Sequence, residues 1–310
     1  MAKDIKKEIT PLISNEGEKN NTLIKKLDED LKQYIAEMKK RDFYFYKTGV
    51  VEAKGKLDQV YQEIQIFEDK IEDYGYNAVK FNNPDAISSS VKQIESIKAE
   101  VSNMVQLWDH IDLCLNLFNE YMESKWIDTK PFEMEEDVKK LMKTLKDMKV
   151  DKKCNSYLGI LEEIKRWLVF LPLIAQLRDD SMRPRHWQAI KDKVQKDFEV
   201  NDKLVLRDVY NLNLNKFQED VEEFADQARQ EAKMEKTLVK LEETWKDIVF
   251  EFNKHKDSEV MLIKLKEEDF EMLEENQVGV TAMFSSRYLS TFEEKCVYWQ
   301  KSLAAIAEII

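Results

Sequence analysis

Glycine and proline are scarce in this chain, six and five respectively among 310 residues. Turns between strands depend on those two residues. Their shortage excludes collagen, low-complexity linkers and most all-β architectures. Long apolar runs are missing too. The longest, Trp167 to Ala175, has nine residues, against about 20 for a membrane span. The N-terminus shows no apolar signal segment. Cysteines number three (Cys114, Cys154 and Cys296), odd and far apart, which reads as reduced thiols rather than a disulfide framework. Basic tracts are lacking and the net charge is −12. A nucleic-acid groove needs clustered Lys and Arg, so that class is excluded as well.

What is present is helical periodicity. Apolar residues make up 43% and charged residues 35%, a balance that folds rather than stays disordered. The length suits about two domains, or one elongated one. Leu23, Leu27, Leu31, Tyr34 and Met38 repeat at helical spacing, as do Leu57, Val60, Ile64, Phe67 and Ile71. The longest seam runs from Ile94 through Ile97, Val101, Met104, Trp108, Ile111, Leu115 and Phe118 to Met122. Leu107, Leu113, Cys114, Leu117 and Tyr121 widen it beyond a two-stranded coil, so this helix should be buried on several sides of a bundle.

Breaks are expected at Asn82–Asp85, at Asp128–Pro131 with a new helix near Phe132, and at Asp179–Pro184 with Pro184 in a first helical turn. From Leu214 to Lys256 there is no Gly or Pro, which predicts a helix of about 30 residues from near Lys216. Its seam, Phe217, Val221, Phe224 and Ala228, slips before Met234, Leu238, Leu241 and Trp245. Glu231 falls where the seam should continue. Ile248, Phe250 and Phe252 alternate with other residues, and Val260–Leu265 follows the polar stretch Asn253–Ser258, which predicts a hairpin. The fold class expected is mainly α, an elongated multi-helix bundle rod with one small β-hairpin near 248–265. The apolar end, Leu303 to Ile310, reads as an internal point of something larger.

Candidate chemistry is thin. Gly49 to Lys56 (G-V-V-E-A-K-G-K) has five residues between its glycines and Leu57 after the Lys, so it cannot wrap phosphates as a P-loop does. His110 and Cys114 are one helical turn apart and could begin a zinc site, but no second pair stands at ligand spacing. A buried thiol beside a capped or surface histidine is the simpler reading. Carboxylate pairs such as Glu135-Glu136 and Glu222-Glu223 lie beside lysines, as solvated helix faces do. No nucleophile motif is found among the residues, and the histidines are only His110, His186 and His255. No catalytic, cofactor-binding or metal-binding residue is therefore assigned. Phe43-Tyr44-Phe45-Tyr46 is either a partner patch or a segment enclosed by neighbouring helices. The most specific string is Met182 to Trp187, M-R-P-R-H-W. Arg183 and Arg185 offer planar forks for carboxylates or carbonyls, and His186 and Trp187 enter the next helix beside Ile190 and Val194. The string reads as a polar corner locking one helix pair against another, or as a contact with another module.

That string in its context resembles the N-terminal linker region of dynein heavy chains. Trp167 to Leu177 (W-L-V-F-L-P-L-I-A-Q-L) precedes it. Val221-Glu222-Glu223, Ala228 to Leu238 (A-R-Q-E-A-K-M-E-K-T-L) and Trp245 follow, then Leu273 to Gln277, Ser285 to Tyr288, Phe292 and Trp299. The resemblance covers roughly residues 130–310 and stands closer to axonemal than to cytoplasmic members. It implies residues 1–130 as a tail-proximal helical bundle and 131–310 as the N-terminal part of the linker. It implies a part of an ATP-driven microtubule motor that transmits conformational change from an AAA+ ring to the tail and cargo. ATP and Mg would sit in the ring, and this part would hold no cofactor and catalyse nothing. Implied partners are the AAA+ ring of the same heavy chain and other heavy, intermediate or light chains, with no nucleic acid or membrane. The implied location is the cytoskeleton, in the ciliary axoneme. Arg183, Arg185, His186 and Trp187 are the intramolecular contact candidates.

A lever also needs compliant joints. Pro184 at its corner and Gly279 in Asn276–Gly279 are the hinge candidates, because glycine takes backbone angles that other residues resist. A passive spectrin-like or coiled-coil scaffold is the alternative. It should show a fixed repeat or strict heptads, and neither is visible. An all-α enzyme is a third reading, without clustered chemistry to support it.

Overall fold

The computed structural model describes residues 2–256, 259–264 and 266–309, with side chains from Thr10 onward. Ser258, Leu265 and Ile310, which the sequence reading includes in the hairpin and the apolar end, lie outside the described residues. Ten α-helices and one two-stranded sheet are found among the described residues. The chain divides into two units. The first comprises Met1–Leu171 with Asp202–Arg207, and the second Pro172–Asn201 with Asp208–Ile310.

In the first unit, α1 (Ala2–Met38), α2 (Val50–Lys80) and α3 (Ser88–Glu123) pack against one another. Helix α1 buries Ile24, Leu27, Leu31 and Met38, so Ile24 rather than Leu23 starts its seam. Helix α2 buries Ala53, Leu57, Val60 and Ile64. Helix α3 is covered on several sides: Leu107, Trp108, His110, Ile111 and Cys114 are all buried, which consecutive positions can only be when neighbours flank more than one face. Burial pushes the Cys114 thiol up to about 12.

The four aromatics form a strap of two short 3₁₀ turns, Asp42–Tyr44 and Tyr46–Thr48, rather than a helix. Phe43 and Tyr44 are buried. The Trp108 indole N–H donates to Phe43 O at 2.8 Å and the Tyr44 hydroxyl to Glu100 at 2.6 Å. Tyr46 N–H donates to Asn155 Oδ1 at 2.9 Å, and the Tyr46 ring lies on Gly159. The strap is thereby tied to α3 and to α5 (Asn155–Leu177), while Phe45 stays exposed.

Pro131 opens α4 (Pro131–Asp147), whose lost N–H costs nothing at a first helical position. Met134, Val138, Leu141 and Leu145 repeat every three or four residues and are buried. The His110 ring meets Leu141 O at 3.1 Å. The break at Asp128–Pro131, expected to part residues 1–130 from 131–310, thus lies inside the first unit, because the apolar face of α4 needs the cover that α3 gives. The stretch 202–207 also belongs there. Trp126 N–H donates to Leu204 O at 2.8 Å, Leu206 N–H to Ser124 O at 2.9 Å, and Arg207 pairs with Glu123.

In the second unit, α6 (Pro184–Val194) packs on α8 (Gln218–Lys246), with the short α7 (Leu206–Tyr210) entering it between them. Helix α8 opens two residues after Lys216. Helices α9 (Glu267–Met283) and α10 (Glu293–Ile309) pack together and onto α8 around Leu238, Leu241, Leu273, Val280, Cys296 and Leu303. The hairpin is real but shorter than expected: β1 (Glu251–Lys254) pairs antiparallel with β2 (Met261–Lys264), Phe252 facing Ile263. Ile248 and Phe250 lie before the first strand.

Gly279 lies within a helix. The expected joint at Asn276–Gly279 is uninterrupted helix within α9, and a Cβ at Gly279 would meet nothing within 4 Å. Packing of Leu273, Val280 and Met283 carries the helix through Gly279 despite the weak propensity of Asn276, Val278, Val280 and Thr281. Pro184 stands at the first position of α6, after a corner in which Asp179 Oδ1 accepts from Ser181 N–H and Oγ–H.

Candidate functional site: a buried charge lock between α6 and α8

Helix α6 enters α8 through the string Met182 to Trp187. Pro184 fixes the first turn and leaves the backbone N–H of Arg183 to be satisfied from within the helix. His186 Nδ1 accepts it at 3.0 Å. That bond sets the tautomer: Nδ1 carries the lone pair, so Nε2 carries the proton. Nε2 donates to Glu231 Oε2 at 3.1 Å. The pair is therefore a hydrogen bond from a neutral imidazole to a carboxylate.

Glu231 is the centre of the arrangement and is 1% exposed. Its Oε2 also accepts from Arg185 Nε at 2.6 Å and from Arg185 Nη2. Its Oε1 accepts from Gln227 Nε2, one turn earlier on α8, at 2.7 Å. A buried carboxylate costs several kcal/mol unless its lone pairs are met, and here both oxygens are engaged. One turn further along α8, Glu235 accepts from Arg183 Nη2 at 3.0 Å, while Arg183 Nη1 donates to Asp180 O at 2.7 Å. Arg185 also stands 5.9 Å from the centre of the Phe292 ring, which ties in the segment before α10.

Electrostatics follow from that geometry. Burial alone would push the Glu231 carboxyl up. Hydrogen bonds from Gln227 and Arg185, the Arg185 charge and the His186 bond outweigh it and hold the group below the ordinary glutamate value. Burial is the largest influence on His186 and pushes it down. Glu231 pulls the other way, the Arg185 and Arg183 charges add to the lowering, and the net is below the ordinary histidine value. His186 is thus neutral near pH 7.

The corner is fastened beyond this centre. Lys193 pairs with Asp220 at 2.7 Å and Lys196 Nζ donates to Asn211 O at 2.6 Å. Of the sequence candidates, Arg183, Arg185 and His186 converge on α8. Trp187 meets Phe198 edge-on at 6.1 Å, and His186 shares the buried face with Ile190 and Val194. Gly279 stands apart on α9. Sequence reading missed Glu231 and Glu235 as partners. The signal was the seam that slips at Glu231, an acidic residue standing where an apolar one belongs.

In this lock the carboxylate is hydrogen-bonded at both oxygens and the imidazole at both nitrogens. No group of three or more His, Cys, Asp or Glu able to hold a metal occurs among the described residues. His110 and Cys114 contact each other at 3.5 Å, but the ring is also engaged by Leu141 O. No described helix is long and apolar enough to cross a membrane.

The match that decides the family covers residues 94–310: it is to the family described as dynein heavy chain, N-terminal region 2. The chain belongs to that family. A dynein alpha chain of the flagellar outer arm from Chlamydomonas reinhardtii is 33% identical over 307 residues, 98% of this chain. Axonemal dynein heavy chain 17 of Mus musculus is 28% identical over 322 residues, and a ciliary dynein beta chain of Tripneustes gratilla 27% over 310. In each case this dynein heavy chain segment spans 7% of the relative's length. The family match begins within α3, ahead of residue 130 and before the stretch that carries the resemblance in the sequence.

Proposed function

We propose that this chain is a non-catalytic, force-transmitting part of a microtubule motor heavy chain. It passes ATP-driven conformational change from an AAA+ ring to the tail and cargo. The observation that carries this is the Glu231 lock, whose buried carboxylate is hydrogen-bonded at both oxygens. The most specific string in the chain fastens one helix to another, with Arg185 and His186 both meeting the buried Glu231 and Arg183 meeting Glu235. A relay of strain needs such fastening, because helices joined only by apolar contacts slide more easily than helices joined by an oriented polar network around a buried carboxylate. The family assignment and the axonemal, flagellar and ciliary relatives support the motor context and a place in the axoneme. Partners on this reading are the AAA+ ring of the same heavy chain and the other heavy, intermediate and light chains of the complex. ATP and Mg belong to the ring.

The test has two arms. The isolated chain should neither turn over ATP nor sediment with microtubules. A heavy chain carrying Glu231→Ala should keep its microtubule-stimulated ATPase while its gliding velocity falls by half or more. Turnover by the isolated chain, or full-speed gliding in a variant whose lock is demonstrably broken, refutes the proposal.

A further inference from the structure

Seven lysines stand between residues 139 and 153, against two aspartates, in a chain whose net charge is −12. All seven are exposed and belong to the first unit. No basic tract shows in the sequence because Leu141, Met142 and Leu145 interrupt the run, and α4 turns those inward. Lys139 pairs with Glu135 and Glu136, and Lys140 with Asp137, along α4 itself. Those two make an ordinary solvated helix face. Lys143, Lys146, Lys149 and Lys153 make no ion pair among the described residues. Lys152 Nζ donates to Lys146 O at 3.0 Å, which folds the loop back over the end of α4 and keeps the lysines together.

The helices themselves do not call for this charge. A cation is favoured in the last turn of a helix, which accounts for Lys146 alone. Lys152 and Lys153 stand just before Asn155, the first residue of α5, where the helix dipole opposes cations and favours anions. The loop also borders a cleft of about 380 Å³ within the first unit, lined by Lys39, Ser96, Asn103, Met104, Lys149 and Val150 among others. Lys39 has no ion pair, and the Ser96 and Asn103 side chains no hydrogen bond, among the described residues. The two carboxylates at the cleft are engaged locally: Glu100 accepts from the Tyr44 hydroxyl at 2.6 Å and Asp151 Oδ1 from Lys153 N–H at 2.9 Å.

We propose that these lysines and the cleft form a docking surface for an extended acidic segment of a partner polypeptide. Its carboxylates would meet Lys39, Lys143, Lys146, Lys149 and Lys153, and one of its side chains would enter the cleft beside Met104 and Val150. Charge complementarity selects that partner. A phosphate group is a poorer fit. No arginine fork lines the cleft, and the lysines are strung out: Lys143 and Lys146 lie about 4–5 Å apart along the helix axis, with the rest following in the loop. Carboxylates on one side of an extended peptide recur about every 7 Å, which suits such a string. A long nucleic acid would overrun the lysines onto an otherwise acidic chain that repels it. The proposal goes beyond the motor reading and does not rest on it.

The test titrates the full chain into a fluorescein-labelled decaglutamate peptide and reads anisotropy. Binding should be saturable and should weaken as salt rises. Lys143→Glu, Lys146→Glu and Lys149→Glu together should weaken it about tenfold or more. The same change of charge on α8, by Lys233→Glu, Lys236→Glu and Lys240→Glu, should leave it within about twofold of wild type. Lys143→Gln, Lys146→Gln and Lys149→Gln together, which introduce no new charge, should also weaken binding while the thermal midpoint stays at the wild-type value. Absence of saturable binding overturns the proposal. So does equal weakening by the two Glu triples, or tighter binding of inositol hexakisphosphate, a thymidine oligonucleotide or phosphatidylserine vesicles than of the peptide.

Discussion

Gly159 of α5 lies flat against the ring of Tyr46: a Cβ there would stand 2.2 Å from Tyr46 Cγ and 2.5 Å from its Cβ. Those atoms are at the root of the side chain, so they can yield only if the strap itself moves. Gly159→Ala should therefore destabilise the first unit by about 2 kcal/mol or more, as overpacking of a closed core does. Urea denaturation followed by tryptophan fluorescence measures this; an unchanged midpoint would contradict the packing described.

Glu231 offers a second case. Glu231→Ala leaves Arg185 half-exposed and able to recover water, but strands the buried His186 Nε2–H. A loss of about 2–3 kcal/mol is expected, less than for a fully buried pair. Replacing Arg185 and Glu231 together by Met should recover part of it, because the desolvation penalty goes with the charges. Equal losses in the single and double variants would show that the lock contributes packing and not charge.

The pH dependence has a definite sign. Burial is the largest influence on both His186 and His110, and both lie below the ordinary value of 6.5 in the folded chain. Below that pH the unfolded chain binds more protons than the folded one, so stability is full above about pH 6.5 and declines as pH falls. Glu231, also held low, adds its own loss below about pH 4.5. Denaturant midpoints from pH 7.5 to 5.0 should fall in wild type and fall less in His186→Gln. A flat profile in wild type would exclude neutral, buried imidazoles.

Gly279 gives the opposite expectation from a hinge. With helical surroundings and open space around it, Gly279→Ala should raise stability by about 0.5–1 kcal/mol through reduced freedom of the unfolded chain. A lowered thermal midpoint would show that α9 does need to bend there.

Much of the fold could be read from residue order. Helices α3, α4 and α8 announce themselves because apolar spacing and helix-opening prolines are local signals. The hairpin was legible in kind but not in length, since the residues before β1 alternate in pattern without pairing. The strap was not legible as 3₁₀ turns, because four aromatics in a row carry no period. The lock was half legible. Arg183, Arg185 and His186 stand out, but their acceptors lie 45 to 52 residues away, and a buried acid looks in sequence like a flaw in a seam. The division into units rests on which faces cover which, and no local pattern encodes that.

The placement of residues 202–207 bears on how this chain is made. A ribosome that has released the first 171 residues has not yet delivered a finished unit. The strand-like contact with Ser124 and Trp126 arrives only after α6 has emerged. Domains usually complete themselves in order of synthesis, but here the earlier one waits for a piece of its own that is made after the later one has begun. Nascent chains halted shortly before Asp202 should be more open to protease around Ser124–Trp126 than chains extended past Arg207.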